Sequence, residues 1–292
     1  MVNETSTNAE AALAALRRRL PGTRVVTVRS PAELPAALDA SAREAAVQGG
    51  VLGVLGGDGS VNAAVRTALD YDLPLAVFPG GAFNHFATAA GLPSVAEAAV
   101  ALEEGEGSAV DVALIDEPDA HGPPKVFLNT FALGAYADLV HIREAARRWC
   151  GRPAATVLAL SLVGGTVRPF TVRVDGTPRR LWLLFAGNGV YQHHSVRTLP
   201  ARERLTSGRL DVRLLDADAR EHHGRLPALL AEALDAPRVL PLPEQLLVAR
   251  LELTGLRGLA YAYDGEAATG ADALSLRTMP SALVLYRPVP WR

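Results

Sequence analysis

Short apolar runs alternate with amphipathic stretches of helical period through the first hundred residues. Residues 8–20 are filled by Ala, Leu and Arg and stop at Pro21-Gly22, which predicts a helix. The β-branched stretch 24–28 predicts a strand. Ser30 and Pro31 open a second helix, interrupted near Pro35 and ended by Gly49-Gly50 after Val47. Val51, Leu52, Val54 and Leu55 form an apolar run with no polar alternation, the pattern of a strand buried on both faces. Gly56-Gly57-Asp58-Gly59-Ser60 breaks it, with Ser60 expected to N-cap a helix through Val61, Ala64, Val65 and Leu69. The cycle then repeats: strand 75–78, turn Pro79-Gly80-Gly81, helix 84–90 closed by Gly91 and Pro93, then a helix over 94–104. Strand and helix in this alternation predict a parallel α/β sheet.

After Gly107 the period changes. Residues 110–115, 127–131, 171–174, 181–186, 210–215, 245–253 and 283–286 read as strands with turn signals between them, interrupted by helix-like stretches at 137–148 and 226–234. This is a mostly antiparallel β region. The expected domains are therefore 1–110 and 111–292, with no repeat, linker or low-complexity tract.

Composition narrows the classes. The chain has 292 residues, is 49% hydrophobic and 21% charged, and carries a net charge of −2. That balance is ordinary for a globular protein and gives no general field for nucleic acid. One cysteine, Cys150, excludes an internal disulfide and a multi-cysteine metal site. The N-terminus lacks the basic and apolar regions of a signal peptide, and the longest apolar-rich stretch, 154–163, is shorter than the ~20 residues that span a bilayer. Lys125 is the only lysine and no Gly-rich loop precedes it, so a Gly-Lys-Ser/Thr phosphate loop is absent.

The two Gly-rich turns carry the chemistry. Both end parallel strands, and open α/β sheets bind ligands at the carboxyl ends of their strands. Backbone N–H groups at such turns and at helix starts suit phosphate. Asp58 stands out among them: a carboxylate beside phosphate-binding amides needs Mg²⁺ or a proton. The plain alternative is a pair of tight turns with Asp58 as a cap.

These stretches resemble the catalytic domain of the diacylglycerol kinase family, which includes bacterial lipid kinases and sphingosine and ceramide kinases. The family's Gly-Gly-Asp-Gly-Thr appears as Gly56-Gly57-Asp58-Gly59-Ser60, and its Pro-Gly-Gly-Thr-x-Asn-Asp-Phe-Ala as Pro79-Gly80-Gly81-Ala82-Phe83-Asn84-His85-Phe86-Ala87. Further motifs follow in order. Phe127-Leu128-Asn129-Thr130 resembles the entry to the second domain. Gly187-Asn188-Gly189-Val190-Tyr191 resembles a Gly-Asn-Gly-x-Tyr strand end. Leu199-Pro200-Ala201 and Ser207-Gly208-Arg209-Leu210-Asp211 resemble the next strand, and Tyr263-Asp264-Gly265-Glu266 the Asp-Gly-Glu loop. Alone, Asp264-Gly265 reads better as a hairpin turn.

The resemblance covers roughly Asn3 to Pro288. It implies an N-terminal NAD-kinase-like α/β nucleotide-binding domain and a C-terminal β-sandwich-like lipid-binding domain, with the last strand returning toward the first domain. It implies ATP-dependent phosphorylation of a lipid hydroxyl, diacylglycerol-like, with Mg²⁺ as cofactor. Asn3, Ser6, Gly56, Gly57, Asp58, Gly59, Ser60, Asn62, Gly80, Gly81, Ala82 and Asn84 would hold the nucleotide. Asp58 would hold Mg²⁺ or polarise the hydroxyl, and Glu266, aided by Asp264, would take its proton. The implied partners are nucleotide and a lipid at a membrane surface, with a cytoplasmic, peripheral location. No transmembrane segment and no nucleic-acid partner are expected, and a homodimer is left open.

The chain departs from the pattern at three places. Asn-Pro-x-Ser-Gly at the N-terminus is reduced to Asn3 and Ser6, with Met1-Val2 as the remnant of a strand. Ala82 replaces a threonine, and Ser207 replaces an aspartate that binds structural Mg²⁺ in some bacterial members, so no ion is expected there. These departures keep a nucleotide- or lipid-binding pseudokinase open, and the Gly-Gly-Asp-Gly turn alone is also similar to that of NAD kinases. Asp264-Gly265-Glu266 and Gly187-Asn188-Gly189 favour the lipid-kinase branch. Other candidates fall away. His193-His194 and His222-His223 lack metal-site spacing, Ser195 lacks a nucleophile elbow, and Arg17-Arg18-Arg19 and Arg147-Arg148 read as solvated helix faces.

Overall fold

The computed structural model describes residues 2–3, 9–81, 83–104, 106–118, 122–134, 168–191, 202, 204–217, 244–269 and 271–288. Ser6, Ala82, Cys150, Arg147-Arg148, both His pairs, Ser195 and the helix-like stretches at 137–148 and 226–234 lie outside them. The chain divides into two compact units, 1–112 with 279–292, and 113–278.

The first unit is α/β. In chain order it holds β1 (Val2–Asn3), α1 (Ala9–Arg19), β2 (Thr27–Val28), α2 (Leu34–Gln48), β3 (Leu52–Gly56), α3 (Asp58–Asp70), β4 (Leu75–Pro79), α4 (His85–Ala89), α5 (Val95–Glu103) and the start of β5 (Gly107–Asp116). The end of the long final strand, β15 (Ala273–Tyr286), also belongs to it. The strands lie in the order β2-β1-β3-β4-β15, every neighbour parallel. Val54, Leu55, Leu75 and Val77 are buried, as their unbroken apolar run requires. The last strand thus lies beside β4, with Leu285 opposite Leu75.

Several boundaries differ from the sequence expectation. Val2–Asn3 does form the first strand, short as it is, between β2 and β3. Because β1 offers only two residues, β2 pairs over Thr27–Val28 rather than 24–28. α2 starts at Leu34, and Pro35 falls in its first turn, where a missing N–H costs no helix bond. Ser60 is not the N-cap of α3. Gly57, in extended backbone, takes that position, and Ser60 is buried within the first turn. Ser94 does cap α5: its Oγ accepts from Glu97 N–H at 3.2 Å and donates to Glu97 Oε2 at 2.8 Å.

The second unit is antiparallel β. It comprises the end of β5, then β6 (Lys125–Phe127), β7 (Thr130–Gly134), β8 (Phe170–Val174), β9 (Thr177–Asn188), β10 (Leu210–Asp216), β11 (Glu244–Val248), β12 (Arg250–Thr254), β13 (Ala260–Tyr263), β14 (Glu266–Thr269) and the start of β15. Twelve-residue β9 is its spine: it pairs with β8 over Thr177–Leu181, with β7 over Leu183–Gly187, and with β10 over Leu181–Asn188. The pairings trace one connected sheet among the described residues. Phe127, Phe131, Leu184, Val212, Leu253, Tyr261 and Leu276 lie in a single buried cluster. The stretch expected as one strand at 127–131 is two, broken at Leu128-Asn129, and that at 245–253 breaks at Ala249. β15 is far longer than the four residues expected. Pro280 reads as a strand breaker, but Ser281 takes a positive φ of 53° and donates its N–H to Asp111 Oδ1 at 2.8 Å, so the strand continues through the irregularity.

Candidate functional site

Register places the two Gly-rich turns side by side. β3 and β4 pair residue for residue from Leu52–Leu75 to Gly56–Pro79, so both strands end at one level. The turns then touch backbone to backbone. Gly80 N–H donates to Gly56 O at 2.9 Å. A Cβ on Gly57 would stand 3.2 Å from Gly81 Cα, and one on Gly81 would overlap Gly57 Cα. Glycine is needed at both positions because two main chains pass where a side chain would go. Asn84, in left-handed backbone at φ 52°, closes the second turn: its Oδ1 accepts from Gly81 N–H and its Nδ2 donates to Gly81 O, each at 2.8 Å.

These contacts divide the predicted phosphate ligands. The N–H groups of Gly80 and Gly81 are spent on holding the turns together. By contrast, no side chain caps α3, so the N–H groups of its first turn, beginning at Asp58, have no intrahelical acceptor. That helix runs for thirteen residues and directs its positive end to the same turn. The anion-receptive part of the site is therefore the start of α3, and Asn84 serves as its brace. Asn62 sits one turn into α3, and Asn3 ends β1 beside β3. His85 does not follow Asn84 into the brace: its ring stacks on exposed Phe83, centroids 5.5 Å apart.

Asp58 links the two turns. Its Oδ1 accepts from Phe86 N–H at 3.2 Å, across to the start of α4. Its Oδ2 has no partner among the described residues. One free carboxylate oxygen matches the way Mg²⁺ is usually held, by one or two carboxylates with substrate phosphates and water completing the octahedron. A cage built from protein alone is not available: no group of three or more His, Cys, Asp or Glu suited to a metal occurs among the described residues. Asp58 therefore fits Mg²⁺ shared with a nucleotide.

In the second unit the motif residues assemble around the break at Leu128-Asn129. β13 and β14 form a hairpin with the two-residue loop Asp264-Gly265, both at positive φ, 46° and 84°. That is the hallmark of the primed turns that match strand twist. The Asp264 carboxylate leaves its own hairpin and receives three backbone N–H groups: Leu128 at 2.6 Å, Asn129 at 2.8 Å and Thr130 at 2.9 Å. Burial pushes its carboxyl above the ordinary range, while those N–H groups and the nearby Arg202 pull the other way. Asp264 N–H returns the contact to Thr130 O at 2.9 Å. Asp264 is thus an anchor of the loop, with its oxygens committed.

Arg202 completes this frame and was not singled out from the sequence. Buried, it donates to Leu128 O and Asn188 O, each at 2.7 Å, and to Asn129 Oδ1 at 3.0 Å. Tyr191 hydroxyl donates to Asn129 O at 2.9 Å, and Asn188 N–H to the same oxygen at 2.9 Å. A Cβ on Gly187 would run into the Tyr191 ring. The Gly187-Asn188-Gly189 motif is therefore scaffolding for the turn that Asp264 grips. The available signal for Arg202 was its place just after Leu199-Pro200-Ala201, one of the motif stretches.

Glu266, by contrast, is exposed at the first position of β14, opposite Tyr263. Asp211, in the motif containing Ser207, is fully buried and receives Gln245 Nε2 at 2.8 Å, Arg213 Nη2 at 3.0 Å and Tyr191 N–H at 3.1 Å. Ser207 Oγ turns instead to Arg209, accepting from its N–H at 3.2 Å and donating to its O at 3.3 Å. A guanidinium and an amide occupy the carboxylate that a cation would need, so the residues here do not fit a metal.

Residues 1–115 match the diacylglycerol kinase catalytic domain. This diacylglycerol kinase match takes in β1 through β5 and both Gly-rich turns. A protein of Stenotrophomonas maltophilia (strain K279a), named probable lipid kinase YegS-like, is 28% identical over 255 residues, covering 82% of this chain and 79% of that protein. Three solved structures from Bacillus anthracis str. Sterne, described as diacylglycerol kinases or candidates for that activity, superpose with TM-scores of 0.69, 0.70 and 0.68. They are 18–19% identical to this chain and cover 98% of it and 95% of their own length. At that identity the likeness is one of fold. No helix among the described residues is long and apolar enough to cross a membrane.

Proposed function

We propose that the chain is a lipid kinase that transfers the γ-phosphoryl group of ATP to the hydroxyl of a diacylglycerol-like lipid. The observation that carries this reading is the start of α3: an uncapped helix N-terminus, two interlocked glycine turns, and one carboxylate with an oxygen to spare. The match to the diacylglycerol kinase catalytic domain and the similarity to a protein named as a lipid kinase support it.

In this reading the first-turn N–H groups of α3 receive nucleotide phosphate, and Asp58 would be the side chain that holds Mg²⁺. The ion would supply charge neutralisation at the transferring group. Glu266 takes the proton of the lipid hydroxyl as its oxygen bonds to the γ-phosphorus. The bond to the bridging oxygen breaks and ADP leaves. A hydroxyl is a poor nucleophile at neutral pH, so a positioned carboxylate contributes roughly 10²–10⁴-fold. Asp264 keeps the loop that presents Glu266 in place.

The test is phosphate transfer from labelled ATP with Mg²⁺ to a panel of lipids in mixed micelles, beside Asp58→Asn and Glu266→Gln. Transfer to a lipid hydroxyl, with each variant reduced at least about a hundredfold and folded as wild type, is the expected result. Equal rates in wild type and both variants would overturn the assignment. Nucleotide binding without transfer to any lipid would favour the pseudokinase, the reading that Ala82 in place of a threonine keeps open.

A further inference from the structure

Tyr263 stands directly opposite Glu266 where the hairpin closes, so their side chains share one face of the sheet. Tyr261 is on that same face two residues back, its ring stacked on Tyr263 with centroids 6.2 Å apart. Phe131, on neighbouring β7, stacks on Tyr261 in turn at 5.7 Å. The only lysine of the chain lies along this ledge. Lys125 Nζ is 5.2 Å from the Tyr261 centroid and 5.9 Å from that of Tyr263. It donates to Tyr261 hydroxyl at 2.6 Å and to Glu117. Tyr261 hydroxyl also donates to Glu117. Nothing in the proposed transfer uses this lysine or these rings.

We infer that Tyr263 is a positioning residue for Glu266, with Lys125 as the fixed cation beside them, and that together they orient the carboxylate assigned as proton acceptor. The inference rests on the lipid-kinase reading for its consequence in catalysis, but its geometry stands apart from it. Glu266 is exposed at a hairpin end, and an exposed carboxylate samples several rotamers. A hydroxyl donor fixed by ring stacking restricts one of its oxygens and leaves the other for a substrate hydroxyl.

The charges facing Tyr263 agree with this. Burial first, then the negative charge of Glu266, pushes the Tyr263 hydroxyl up to about 12, with Lys125 opposing and a hydrogen bond to Glu266 adding to the rise. The phenol therefore keeps its proton at any working pH and can only donate to the carboxylate. Tyr261 on the same strand contributes to the shift, and Glu117 meets the ledge through Lys125 and Tyr261.

Two measurements test it. The first is kinetic, on Tyr263→Phe, which keeps the ring and removes the hydroxyl. The expected result is a fall in kcat of roughly tenfold or more with the KM for ATP and the melting temperature unchanged, and no further loss when Tyr263→Phe is added to Glu266→Gln. Wild-type kcat in Tyr263→Phe, or full additivity in the double variant, would overturn it. The second needs no activity. In protein labelled with 3-fluorotyrosine, the resonance that disappears in Tyr263→Phe is titrated by ¹⁹F NMR. Glu266→Gln should move its titration to lower pH and Lys125→Met to higher pH. Failure of either shift would overturn the inference even if wild type transferred phosphate to nothing, an outcome that would instead refute the lipid-kinase reading.

Discussion

Asp264→Asn separates an anchoring carboxylate from a reacting one. The wild-type side chain accepts three backbone N–H groups, Leu128 on Oδ2 and both Asn129 and Thr130 on Oδ1. Asparagine tolerates the left-handed backbone of this position, so the turn itself is not strained. Its amide must replace one oxygen. Keeping the carbonyl on Asn129 and Thr130 sets an NH₂ against Leu128 N–H, donor against donor at what is now a 2.6 Å contact. Losing one hydrogen bond to a charged group costs about 1.5–3 kcal/mol, and the two remaining bonds lose their charge assistance, so about 2–4 kcal/mol is expected in all. At roughly 2–4 °C per kcal/mol for a unit of this size, melting should fall by about 5–15 °C. Calorimetry would read the shift, and hydrogen exchange should accelerate at the amides of Leu128, Asn129 and Thr130. Glu266→Gln, which touches none of these bonds, should melt as wild type. If Asp264→Asn melts within about 2 °C of wild type while phosphate transfer is lost, Asp264 is a reacting group and the anchoring account is wrong.

Three further outcomes follow from the same contacts. Gly81→Ala forces its Cβ onto Gly57 Cα, so it should cost about 1–3 kcal/mol and weaken nucleotide binding measured calorimetrically, more than Gly57→Ala does; equal effects from the two would refute the interlocked turns. Arg213→Met strips the guanidinium from fully buried Asp211 and should destabilise by about 3–5 kcal/mol, whereas EDTA should leave wild-type melting unchanged; a melting temperature that drops with EDTA would show a cation at work. Burial pushes the Glu117 carboxyl up, but hydrogen bonds from Lys125 and Tyr261 outweigh it and hold it below its ordinary value. Such a group stabilises above its unfolded pKa and loses that contribution as pH falls through the folded one, so the stability gap between wild type and Lys125→Met should narrow below about pH 4 in denaturant melts. A gap of constant size would refute it.

The organisation of the first unit was legible because it rests on local signals. Unbroken apolar runs gave β3 and β4, and glycine with a following helix gave both turns. What sequence could not supply was which N–H groups those turns keep free. Gly80 and Gly81 look like phosphate ligands until the register of β3 with β4 and the fold-back of Asn84 consume their donors. Ser60 looked like a cap because it precedes an apolar periodic run, yet Gly57 takes the position. In the second unit β13, β14 and the start of β15 were not among the expected strands, and the breaks within the expected ones were not foreseen. The break between β6 and β7 is made by a carboxylate about 135 residues away in sequence, Asp264, which no local pattern reports. Arg202 was missed for the same reason, since two of its three acceptors lie in that same break, 74 and 73 residues away in sequence.

The motif residues of the two halves therefore perform unlike tasks, and the difference follows from how many of their polar atoms are already committed. Asp264, Asp211 and Arg202 have their hydrogen bonds directed inward, and a side chain whose lone pairs or N–H groups are engaged in this way has little left to offer a substrate. Asp58 keeps one oxygen and Glu266 is exposed. Substitutions in the first group should lower melting temperature and activity together, because activity is lost through the frame. Substitutions at Asp58 and Glu266 should lower activity while melting stays put, because removing a solvated or half-committed carboxylate leaves few partners unpaired. A lone loss of activity at any residue of the first group would mean that its hydrogen bonds, although made, are not what the residue is for.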